Sequence, residues 1–101
     1  MEIIWTQKAL SSIEEVSDYI SLKFSEKEVE NFIVSTLKTI ETISNFPKAF
    51  PASGIKKLKS SRKAVIHPHS TLIYQNKNTI ILLLFWDNRK DPSTIKYQRL
   101  K

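Results

Sequence analysis

The chain has 101 residues, 41% of them hydrophobic and 26% charged, the balance of a globular domain rather than a disordered one. Cysteine is absent, which excludes a disulfide framework and thiolate metal ligands. The net charge of +6 hides a division, because residues 1–54 carry five Lys against eight Asp/Glu, net −3, while residues 55–101 carry eleven Lys/Arg against two Asp, net +9. An asymmetry of this size points the second half toward an anionic partner, either nucleic acid or an acidic protein, unless it is only a solvated face that aids solubility.

Residues 1–10, MEIIWTQKAL, lack a basic n-region and a long apolar run, so no signal peptide is expected. The longest apolar stretch, residues 80–86, is too short to span a bilayer. The expectation is a soluble cytoplasmic protein, one domain over residues 1–101, with no membrane partner.

Residues 2–5 predict a first strand, and Thr6 is placed to cap a helix. Leu10, Ile13, Val16, Ile20 and Phe24 then recur at helical steps and predict one buried stripe. Ser25 with Glu28 forms a capping-box pattern that opens a second helix, with Val29, Phe32, Ile33, Leu37, Ile40 and Ile43 on one side. That helix should stop near Asn45, because Phe46 precedes Pro47. So short a connection makes the two helices an antiparallel hairpin.

Residues 47–54, with two prolines and the only glycine, predict a loop. Beyond it the period becomes that of strands, at residues 62–67, 70–75 and 79–86, with turns at His67, Pro68 and His69 and at Asn76, Lys77 and Asn78. The last strand is apolar on both faces, which predicts a central position covered on both sides. Ser93 is placed to cap a short tail helix reaching Tyr97. The predicted class is α+β, a two-layer β-α-α-β-β-β arrangement in which a helical hairpin packs on a small, mostly antiparallel sheet.

The strongest chemical feature is the basic run Lys56, Lys57, Lys59, Arg62 and Lys63, joined after the last strand by Arg89 and Lys90. Cleavage of RNA by 2′-hydroxyl attack needs a base, an acid and cations around the pentavalent phosphate. Lys57, Lys59, Arg62 and Arg89 are candidates for those roles if the strands bring them into one concavity, with Tyr97 as a weaker candidate. The bland alternative is a surface that binds phosphates or carboxylates without chemistry, and Asp87 is close enough in sequence to pair with Arg89. His67 and His69 make an H-x-H pair, but two ligands do not make a metal site, and turn residues are the expected reading. No glycine-rich phosphate loop is possible with one glycine, and no metal or cofactor is expected.

The chain resembles the RelE/ParE toxin superfamily over roughly residues 3–92. The resemblance is carried by Ile4, Trp5 and Thr6 with Ala9, by Ile13 with Tyr19 and Ile20, and by the helix exit at Asn45, Phe46 and Pro47. Arg62, then Val65, then Leu72, Ile73 and Tyr74 carry its centre. The run Ile80, Ile81, Leu82, Leu83, Leu84, followed by Trp86, Asp87, Asn88 and Arg89, carries its end. The two long helices look more like the ParE branch. The resemblance implies a growth-inhibiting toxin of a type II toxin–antitoxin system, wrapped by a cognate antitoxin in a hetero-oligomer. The ParE branch is associated with poisoning DNA gyrase, and the RelE branch with metal-independent mRNA cleavage on the ribosome. Nuclease members that use histidine usually carry it near the C-terminal end, and here none follows His69. A third reading, from another class, is a basic scaffold without toxicity.

Overall fold

A computed structural model describes residues 1–90; the tail helix expected at residues 93–97, and Tyr97 with it, lie outside the described residues. The elements run β1 (Ile3–Trp5), α1 (Gln7–Lys23), α2 (Glu26–Asn45), β2 (Ser61–His67), β3 (Ser70–Asn76) and β4 (Ile80–Asp87). The strands form one sheet in the order β1-β4-β3-β2, antiparallel except for the β1–β4 pair, with the helices on one face. Among the described residues no helix is long and apolar enough to cross a membrane.

Each helix starts where its cap places it. Thr6 accepts a hydrogen bond from the Ala9 amide, and Ser25 accepts one from the Glu28 amide. Each hydroxyl satisfies one of the donors that a helix N-terminus leaves without an intrahelical partner.

The helix-side core joins Ala9, Val16 and Ile20 of α1 and Phe32 and Ile43 of α2 to Leu72, Tyr74, Ile80, Leu82 and Phe85 of the sheet. A second cluster lies on the opposite face, where Ile73, Leu83 and Leu84 are covered by Leu58 and Ile55 from the segment before β2. The predicted double cover of β4 is therefore present, and β3 shares it.

Two bulges set which side chain faces which layer. Ile73 pairs with Leu84 but Tyr74 pairs with Leu82, so Leu83 is an extra residue in β4. The alternation slips there, sending Leu83 and Leu84 to one cluster and returning Phe85 to the other. In β2 the register shifts between Val65 and His67. Ile66 is the extra residue, and His67 turns toward α2, where its Nε2 lies 3.3 Å from Glu28 Oε2.

The predicted helical stripes need correction at their edges. Leu10, Phe24, Ile33 and Leu37 are exposed, while Ser12 and Thr36 are buried in their place. Both buried hydroxyls bond to backbone within their own helix, which makes burial tolerable.

Replacing the fully buried Leu82 by Ala should cost about 2–5 kcal/mol, whereas the same change at the exposed Leu37 should stay within about 0.5 kcal/mol. Urea denaturation of the two variants checks the assignment.

Candidate functional site

The basic residues fall into two groups held apart by the sheet. Lys56, Lys57 and Lys59 are exposed around the buried Leu58, which anchors their segment to the sheet face away from the helices. Ser61 closes that segment, with its hydroxyl 2.5 Å from the Leu58 carbonyl and 2.6 Å from the Ser53 hydroxyl. The pleat of β2 turns Ala64 into the helix-side core and so turns the exposed Lys63 toward the lysine-bearing face.

Arg62 belongs to the other face. Its guanidinium donates to the Phe50 carbonyl at 2.6 Å and to the Lys48 carbonyl at 3.4 Å, pinning the loop that leaves α2. Its cross-strand partner Tyr74 donates to the Pro47 carbonyl at 2.8 Å. Burial raises the Tyr74 pKa above its ordinary value near 10.0, against a smaller opposing pull from the Arg62 charge. Together these two side chains fix the end of α2 to the sheet.

Arg89 lies at the opposite end of the sheet. Its Nη2 and Nε donate to Asp87 at 2.5 and 3.0 Å, and its guanidinium carbon sits 3.6 Å from the centre of the Tyr19 ring. The hydrogen bonds from Arg89 hold the Asp87 carboxyl below its ordinary 3.8, against partial burial. This clamp forms one wall of a cleft of about 390 Å³ between α1 and the end of β4. Lys8, Glu15 and His69 also line it, as does Lys90, which is exposed. His69 packs on Phe24 and against Tyr19, extending the aromatic wall.

The expected convergence of Arg62 and Arg89 does not occur. The strand order places β3 between β2 and β4. Arg62 pairs with Tyr74 and Asp87 with Ser70, four residues apart on β3, a spacing of about 13 Å along the strand. Arg62 and Lys63, adjacent in sequence, face opposite sides of β2. Of the basic candidates among the described residues, Lys56, Lys57, Lys59 and Lys63 remain as a basic surface on the face away from the helices.

The stacking of Tyr19 on Arg89 and the place of Lys8 in the cleft are not legible in the sequence, although Tyr19 is part of the first-helix pattern. Tyr19 is separated from Arg89 by seventy positions, and no local spacing announces the contact. Ser12 did leave a signal, because it sits between Ala9 and Val16 on the buried stripe, where a polar side chain needs a partner. It accepts from the Phe85 amide at 2.9 Å.

Residues 3–92 match the family model described as "ParE toxin of type II toxin-antitoxin system, parDE". No curated protein matches the chain. Among solved structures, the chain is similar to one titled "Chromosomal ParDE TA system from P. aeruginosa", with a TM-score of 0.70 and 11% identity, over 86% of this chain and 95% of that one. At that identity the likeness speaks for the fold.

Two pH responses follow from the geometry. A carboxylate held low in the folded state stabilises it above the unfolded value near 3.8, and the contribution is lost as acid neutralises the group. Stability should therefore fall below about pH 4, and Arg89→Ala should flatten that slope in acid denaturation curves. A phenol held high favours the folded state less as pH rises above 10.0. Tyr74→Phe should remove part of the alkaline loss, read as melting temperature against pH.

Proposed function

The chain belongs to the ParE toxin family of type II toxin–antitoxin systems, and on that premise we propose that it arrests bacterial growth by binding DNA gyrase in the cytoplasm. It acts as one domain, without chemistry of its own, until a cognate antitoxin covers it. One observation carries the choice of binding over catalysis. Phosphoryl chemistry on RNA needs cations that converge on one phosphate. Here Arg62 serves loop carbonyls, Arg89 serves Asp87, and β3 separates them. What is left is a plain cationic surface, Lys56, Lys57, Lys59 and Lys63, with Lys90 exposed beside the cleft.

Such a surface suits steering and docking. It also suits neutralisation, since an antitoxin segment rich in Asp and Glu would complement the +9 half of the chain. The competing reading is a ribosome-dependent mRNA endoribonuclease that uses Lys57, Lys59, Arg62 and Arg89. The density of lysines at residues 56–63 favours it, because a nuclease contacts several phosphates.

The test expresses the toxin and its charge-reversed variants (Lys57→Glu, Lys59→Glu and Lys63→Glu, singly and combined) in bacteria. The purified proteins are then assayed in parallel for gyrase supercoiling and for mRNA cleavage on ribosomes. The expected result is growth arrest by the parent and relief in the variants, with gyrase binding and inhibition weakened together. A nuclease would instead show mRNA cleavage reduced by about 10²–10³ while ribosome binding survives. A harmless parent with confirmed expression would leave only the scaffold reading.

A further inference from the structure

We propose that the outer groove of the α1–α2 hairpin is a second docking surface, of the opposite charge, which seats a lysine- or arginine-rich amphipathic helix from a partner protein. The inference stands apart from the toxin reading, because it concerns the acidic half of the chain and uses none of the lysine-bearing surface.

Three large apolar side chains are left in water there. Leu10 of α1 is 47% exposed, and Ile33 and Leu37 of α2 are 37% and 61% exposed. Their positions relative to the helical period place them together. On α2, Glu30, Ile33, Leu37 and Glu41 recur at three- and four-residue steps and share one flank. On α1, Leu10 and Glu14 share a flank with Ser21, at steps of four and seven. The Ser21 hydroxyl bonds the Glu26 carboxylate at the start of α2, so this flank of α1 looks toward α2. In an antiparallel hairpin the two flanks form the walls of one groove, closed at one end by that bond.

Charge says what fits. Glu14, Glu30 and Glu41 rim the groove and all are exposed. Lys27 lies 3.8 Å from Glu30, but both side chains are more than 70% exposed, and a solvated pair of this kind is weak and easily exchanged. Lys38 points about one quarter turn farther round α2. An apolar stripe between carboxylates complements a helix that carries apolar anchors at i, i+3, i+4 and i+7 with cations beside them. The same carboxylates would repel an anionic membrane surface.

The test uses a fluorescein-labelled peptide of about 18 residues, five helical turns, with leucines on one face and lysines on the other, titrated into the full chain in low salt. The protein is net positive, so capture of a cationic peptide reports a local acidic site. Saturable binding is expected, weakened about tenfold or more by Ile33→Ser with Leu37→Ser, and likewise by Glu30→Lys with Glu41→Lys. Leu22→Ser, at an exposed leucine on another face of α1, should bind like the parent. Far-UV circular dichroism and melting confirm that each variant folds. Binding that ignores the groove variants, equal binding of a leucine/glutamate peptide, or no saturation would overturn the proposal. So would a dimer in sedimentation that Leu37→Ser dissolves, since the groove would then belong to a second copy. None of these readouts depends on toxicity, so a failure here leaves the gyrase reading standing, and the reverse.

Discussion

The position of α1 over the sheet depends on how one strand edge is satisfied. β1 is three residues long and leaves β4 after Leu82, so the rest of that edge has no neighbouring strand among the described residues. A strand edge carries polar groups that cannot be buried unpaired. Thr6 and Ser12 answer for them. Thr6 shares its hydroxyl hydrogen between the carbonyls of Leu82 and Leu83, and Ser12 accepts from the Phe85 amide. Thr6 is at once the helix cap, the last link of β1 and a plug for the bulge. Two hydroxyls six residues apart thereby set both the angle and the height of α1, and with them the cleft where Tyr19 meets Arg89.

The bulge at Leu83 explains why the last strand could be seen but not oriented in the sequence. Five apolar residues, Ile80 to Leu84, announce a strand covered on both sides. They do not say which face each one takes, because one extra residue reverses the alternation beyond it. The same slip at Ile66 turns His67 toward Glu28. Element order, both caps and the exit from α2 at Phe46 were legible because each depends on a few neighbouring residues. The helix stripes were legible at their centres, Val16, Ile20, Phe32 and Ile43, and misleading at their edges. Periodicity identifies an apolar residue without knowing whether anything lies opposite it.

The site was legible in composition and not in geometry. The lysine run at residues 56–63 is plain in the sequence, and so is the arginine after the last strand. Their separation follows from strand order, and a meander of three strands puts the middle one between the other two. Arg62 and Lys63 show the limit most sharply, since neighbouring charges end on opposite faces of one strand, one gripping a loop and the other free in solvent. A count of +9 therefore overstates the charge available to a partner on any one face. The acidic half behaves in the opposite way, because helical geometry gathers Glu14, Glu30 and Glu41 along one groove.

The pairing of the first strand with the last has a consequence for the order of events in synthesis. The Thr6 side chain finds its carbonyl partners 76 and 77 residues later. The Ile80 amide likewise waits to reach the Glu2 carbonyl. Loops of that length close slowly and at an entropic cost. Chain growth delivers both helices first, with Ala9, Val16, Ile20 and Phe32 still facing water. The sheet that covers them is completed only when β4 arrives. Between the completion of α2 at Asn45 and the arrival of β4 at Ile80 the growing chain holds an uncovered helical hairpin, the state in which aggregation competes best with folding.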